Sequence, residues 1–91
     1  MAYAVVMHVK LPEQGDDEEG LKMLTEIVVP HAKSQEGFQN GTWVNDRTGD
    51  GMGIVVFATE EQAKAAQEAL KPPPGGPELV SSEIYAVGAQ A

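Results

Sequence analysis

The chain has no cysteine. That excludes disulfides, thiolate metal ligands and thiol nucleophiles, and it agrees with a reducing compartment. Basic residues are scarce as well: six lysines and arginines stand against fourteen acidic residues, for a formal net charge of −8. Lys10, Lys22, Lys33, Arg47, Lys64 and Lys71 are scattered, so no basic stripe exists to release counterions from a phosphate backbone. Nucleic acid is therefore not an expected partner. No apolar run approaches the roughly 20 residues that cross a bilayer. The N-terminus has no basic segment ahead of an apolar one, so no signal peptide and no membrane partner are expected, and the expected location is cytoplasmic.

What is present is an excess of apolar strand. Ninety-one residues make a single domain, 1–91, and a chain of this size buries only about 60–65% of its unfolded surface. Strands are expected around Tyr3–Val9, Phe38–Asn45, Gly53–Phe57 and Leu79–Val87. Tyr3–Val9 is a nearly continuous apolar run, the pattern of a strand buried on both faces. One face carries Tyr3, Val5, Met7 and Val9, the other Ala4, Val6, His8 and Lys10; the pattern alone does not say which faces a helix. In the second strand, Phe38, Thr42 and Val44 are expected to oppose Gly41, Trp43 and Asn45.

Helical signals lie between these strands. Leu21, Leu24, Ile27 or Val28, and His31 recur at spacings of three and four, with Asp16 or Asp17 as N-cap and an interruption at Pro30. Thr59-Glu-Glu-Gln62 reads as a capping box, the threonine accepting from the helix start and Gln62 reaching back; the helix runs to about Leu70. Gly37 releases the chain into the second strand, and the stretch Asp46–Gly53 suits a hairpin. Lys71–Pro77 connects to the last strand. The order is βαββαβ, and right-handed crossovers give strand order 4-1-3-2, a ferredoxin-like α+β sheet with two helices on one face. The other face is left apolar and uncovered, which predicts a homodimer.

At this point the chain resembles the dimeric α+β-barrel superfamily, the group that contains the small antibiotic-biosynthesis-type monooxygenases. The carriers are the strand Tyr3–Val9, Gly37-Phe38, the strand Ile54–Phe57 and the helix start Thr59-Glu-Glu-Gln-Ala63. Members typically have proline before the glycine, where Glu36 stands here. The resemblance implies a homodimeric barrel, often with a small ligand cleft in each subunit, and it spans oxygenases, isomerases, decarboxylases and members without known activity. Fold alone does not choose among them.

His8 is the candidate acid–base or ligand-contacting residue, because a neutral imidazole among apolar neighbours on a strand is suited to both; the alternative is a histidine satisfied at a barrel edge. Trp43 and Asn45 form a candidate surround for a planar ligand, with an interface anchor as the alternative for the tryptophan. Tyr85 is a third ligand-binding candidate, or packs beside Tyr3. His31 is expected at helix C-terminal carbonyls rather than in a metal pair with His8, since antiparallel elements put them roughly 20 Å apart. Arg47 is expected to pair with Asp46 or Asp50.

Gly49-Asp-Gly-Met-Gly53 joins two strands and so fails as a dinucleotide loop. The acidic run Glu13–Glu19 lacks calcium-loop spacing. No metal or cofactor is called for. The expected function is that of a cofactor-independent, monooxygenase-like enzyme acting on a small apolar or aromatic molecule, in a cleft between sheet and helices. The competing expectation is a non-catalytic dimeric ligand-binding or structural module.

Overall fold

The computed structural model describes residues 1–11, 21–72 and 77–91. The expected N-cap at Asp16 or Asp17, the acidic run Glu13–Glu19 and most of the proline-rich connector lie outside them. Four strands, β1 (Tyr3–Lys10), β2 (Phe38–Asn45), β3 (Asp50–Phe57) and β4 (Glu78–Ala86), form one sheet in the order β2-β3-β1-β4. All neighbours are antiparallel. This is the ferredoxin-like arrangement, and β1 and β3 hold its centre because their apolar runs need neighbours on both edges.

Helix α1 is described over residues 21–33 and helix α2 over Glu60–Ala69. Both lie on the same side of the sheet, where Val5, Met7, Val55 and Phe57 meet Ala32 of α1 and Ala63 and Ala66 of α2. The alanines let the helix backbones approach the sheet closely. Phe38 and Phe57 add an edge-to-face pair with centroids 6.3 Å apart, a geometry worth about 0.5–1.5 kcal/mol beyond burial. The choice that the sequence pattern left open is thus resolved. Val5, Met7, Val55 and Phe57 face the helices, while Ala4, Val6, Ile54 and Val56 form the other surface.

Pro30 shapes α1. Its ring has no N–H and collides with the carbonyl four residues back in a regular helix. Here Leu24–Val28 is π-helical, with the Val29 N–H bonded to the Leu24 carbonyl, and Val29–Lys33 returns to α-helix with the proline in its first turn. The wider turn accommodates the ring and shifts the phase of the stripe. Ala32 becomes the buried residue. Leu21, expected on the packed face, is 61% exposed; of the alternatives Ile27 and Val28, Ile27 is 57% exposed, while Val28, like Leu24, is half-buried.

Thr59 caps α2 as expected, its Oγ1 accepting from the Gln62 N–H at 3.2 Å. The reciprocal half of the box is absent. Gln62 turns instead against Gly37, with its Oε1 buried and unpartnered. Gly37 has φ of +84°, and a Cβ there would lie 1.9 Å from that oxygen.

The second strand carries a bulge between Phe38 and Asn40. The inserted residue moves Phe38 onto the face of Gly41 and Trp43, instead of that of Thr42 and Val44. Strand β3 begins at Asp50, earlier than expected, because Gly51 and Gly53 take part in the ladder opposite Asn45 and Trp43.

Candidate functional site on the open sheet face

The surface away from the helices is a register-defined array. Across β2, β3, β1 and β4 the rows read Val44, Met52, His8, Ser81; then Thr42, Ile54, Val6, Glu83; then Asn40, Val56, Ala4, Tyr85. Its two central columns are apolar apart from His8, and its outer columns are mainly polar. Val56 and Ala4 are buried by their neighbours, while Val44 and Tyr85 stand 49% and 52% exposed.

At the β1–β4 side of this array lies a shallow hollow of about 150 Å³, lined by Val6, His8, Ser81, Glu83 and Tyr85. The strand pair explains its shape. A register shift between His8 and Val9 moves the pairing from Ser81 to Leu79 and leaves Val80 as an extra residue. Such a bulge bends the edge strand, here immediately beside the hollow. Val6 supplies an apolar floor, and the remaining four residues carry polar atoms.

Glu83 and Tyr85 are two apart on β4 and so project from the same side. The Tyr85 hydroxyl donates to Glu83 Oε2 at 2.5 Å. That hydrogen bond to the carboxylate, followed by the repulsion between the Glu83 charge and a phenolate, pushes the Tyr85 pKa above its ordinary value. The pair holds the proton on the phenol, and among the described residues the second carboxylate oxygen receives no side-chain donor. His8 is exposed and diagonal to Glu83 across the strand pair, within reach of one bound molecule.

The structure brings His8 and Tyr85 together and separates them from Trp43 and Asn45. Trp43 belongs to the helix side: its ring lies over the glycines, so a Cβ at Gly41 would meet it at 2.7 Å and one at Gly53 at 3.0 Å. It packs against the core and is not an anchor on the free face. Asn45 directs its Oδ1 to the Arg47 N–H at 2.9 Å and so braces the hairpin. Tyr3 is opposite Ala86 and Tyr85 opposite Ala4, which places the two tyrosines on different faces. Sequence reasoning missed Glu83 and Ser81. Their signal was available in retrospect as the alternate residues two and four places before Tyr85 on one strand, but only the register joins them to His8.

The remaining expectations settle locally. His31 Nε2 is 3.0 Å from the Ala69 carbonyl, so it meets the C-terminal end of α2 rather than of its own helix, and the sheet lies between it and His8. Asp46 is taken up by its turn, accepting from the Thr48 and Asp50 N–H groups at 2.8 and 3.1 Å. It is therefore not paired with Arg47. The Thr48 hydrogen bonds, the side chain's first, hold the Asp46 carboxyl below its ordinary pKa. The expected cleft between sheet and helices is also displaced. Among the described residues the hollow found is on the opposite side of the sheet.

No protein-family model matches the chain, and no curated protein matches its sequence. Among solved structures, the α+β fold is shared with SnoaB, a cofactor-independent oxygenase from Streptomyces nogalater, whose crystal structure in a mutant form superposes with a TM-score of 0.70. The match covers 98% of this chain and 95% of that one at 13% sequence identity, a level at which the likeness is one of fold. None of the described helices is long and apolar enough to cross a membrane.

Proposed function

We propose that the protein is a homodimer closed across the open sheet face, and that it binds a small apolar or aromatic molecule in the His8–Glu83–Tyr85 hollow. The chemistry assigned to that site is cofactor-independent and monooxygenase-like, with His8 moving a proton to or from the ligand. The single observation that carries the reading is the open face itself. An uncovered sheet face with apolar central columns and a polar rim has the anatomy of an association surface, and a second copy supplies a matching patch by two-fold symmetry. A facing sheet turns a shallow hollow into an enclosed one and excludes the water that now reaches His8. The oxygenase activity of the structural neighbour supports the chemical half of the proposal.

A second reading, a non-catalytic dimeric binding module, is favoured by one specific observation: His8 is exposed, and among the described residues its ring has no hydrogen-bond partner to fix its tautomer. Catalytic histidines are ordinarily oriented by such a partner. Both readings require the dimer. Size-exclusion chromatography with light scattering is expected to give twice the mass of one chain, and a monomer at micromolar concentration refutes both. Replacing His8 by Ala separates them. Oxygen consumption lost with ligand binding retained supports the enzyme, and wild-type protein that binds ligand without consuming oxygen supports the module.

A further inference from the structure

The hollow on the open face has a charge preference that follows from what lines it. Its one carboxyl side chain is Glu83, and no lysine or arginine is among its lining residues. Lys10 is on the same face, but the register sets it between Asp50 and Glu78, beyond the His8 row. The Tyr85 hydroxyl is committed to Glu83 Oε2. What remains for a ligand is led by the second oxygen of the Glu83 carboxylate, an acceptor; the Ser81 hydroxyl and the His8 ring each accept or donate as the ligand requires. Val6 and the ring of Tyr85 supply apolar surface, and an aromatic ring face also attracts a cation. The whole molecule, at net charge −8, adds a field that repels anions.

From these features we infer that the hollow selects a primary ammonium carried on a small apolar or single-ring body, with Glu83 as the charged acceptor. The ammonium has three donors and no acceptor. It suits the free Glu83 oxygen, can also donate to Ser81, and leaves the Tyr85–Glu83 bond intact. A carboxylate ligand faces Glu83 with no lysine or arginine among the lining residues to offset it, and an alcohol of the same shape fills the volume but lacks the charge-assisted bond. This inference rests on the proposal that the hollow is a small-molecule site, and names the ligand class.

The test is a titration of the full chain with benzylamine, benzyl alcohol and benzoate at pH 7 and low salt. Binding is followed through the amide signals of Val6, His8, Ser81, Glu83 and Tyr85. Benzylamine is expected to bind about tenfold or more tightly than benzyl alcohol, the increment of a hydrogen bond to a charged group, and benzoate more weakly than either. Glu83→Gln, on an exposed edge-strand position, is expected to abolish the preference for the amine while leaving the alcohol's affinity in place. Equal binding of amine and alcohol, or a preference that survives Glu83→Gln, overturns the ligand class but leaves the site. Failure of all three compounds to shift these amides overturns the site as well.

Discussion

Tyr85 and Glu83 occupy adjacent same-face positions on β4, and their contact has a consequence that can be read by absorbance. The carboxylate accepts from the phenol and opposes its ionisation, so Tyr85 is expected to titrate above its ordinary value near 10. Because the folded state holds this proton more tightly than the unfolded chain, the stabilising contribution is complete below the unfolded pKa. It is lost as pH rises through the folded one. With only two tyrosines in the chain, an alkaline titration at the phenolate band is expected to resolve them. Glu83→Gln should return one of the transitions toward about 10; two unchanged transitions would show that the pair is not formed in solution.

Asp46 has the opposite sign. Its carboxyl is held below the ordinary range by the Thr48 and Asp50 donors, so its support of the hairpin is present above the unfolded pKa and disappears as pH falls through the depressed one. Amide exchange at Thr48 and Asp50 is expected to accelerate at that acid limb in the wild type. In Asp46→Asn the same amides should show no comparable acid step.

At the scale of elements, the sequence patterns located all four strands and α2, because alternation, capping chemistry and glycine-rich turns are local properties. The phase of α1 was not local. Pro30 was legible as an interruption, but its resolution as a π-helical turn depended on which residues the sheet accepted, and Ala32 took the place expected of larger neighbours. The bulge at Phe38–Asn40 similarly moved one aromatic to the other face, and no residue pattern in that strand announces it. Gly37 is the position where element geometry is most exposed to mutation. Gly37→Ala is expected to destabilise the protein by at least about 1–2 kcal/mol, the cost of a left-handed conformation for an L-residue, with displacement of Gln62 added to it. Urea denaturation of the variant checks this, and an unchanged midpoint would mean that the turn relaxes.

For the whole molecule, the sequence carried the imbalance between strand surface and helix cover, and the sheet register assigned it to one face. What it did not carry was the site. His8 and Tyr85 were legible as chemistry-bearing residues, whereas their meeting with Glu83 and Ser81 depends on pairing across strands some seventy residues apart. Trp43 and Asn45 are neighbours in sequence to one another but are held on the helix side and at the hairpin. If the open face closes on a second copy, a lysine at its centre is incompatible with that burial. Ile54→Lys is expected to yield a monomer by light scattering, and to lower stability by an amount that depends on protein concentration in the wild type alone. A wild-type-like mass for this variant would place the association surface elsewhere.

The tryptophan lying across Gly41 and Gly53 also divides the molecule optically. Trp43 is the sole indole in the chain and is packed on the helix side, while the exposed phenol of Tyr85 is on the other. Indole emission therefore follows loss of the core, as does the Tyr3 phenol packed against it, whereas the Tyr85 phenol would follow uncovering of the free face if a second copy closes it. Dilution and denaturant titrations recorded through both signals distinguish a folded monomer from an unfolded one without any added label. For the proposed dimer, coincident curves would mean that the subunits separate only as the core is lost.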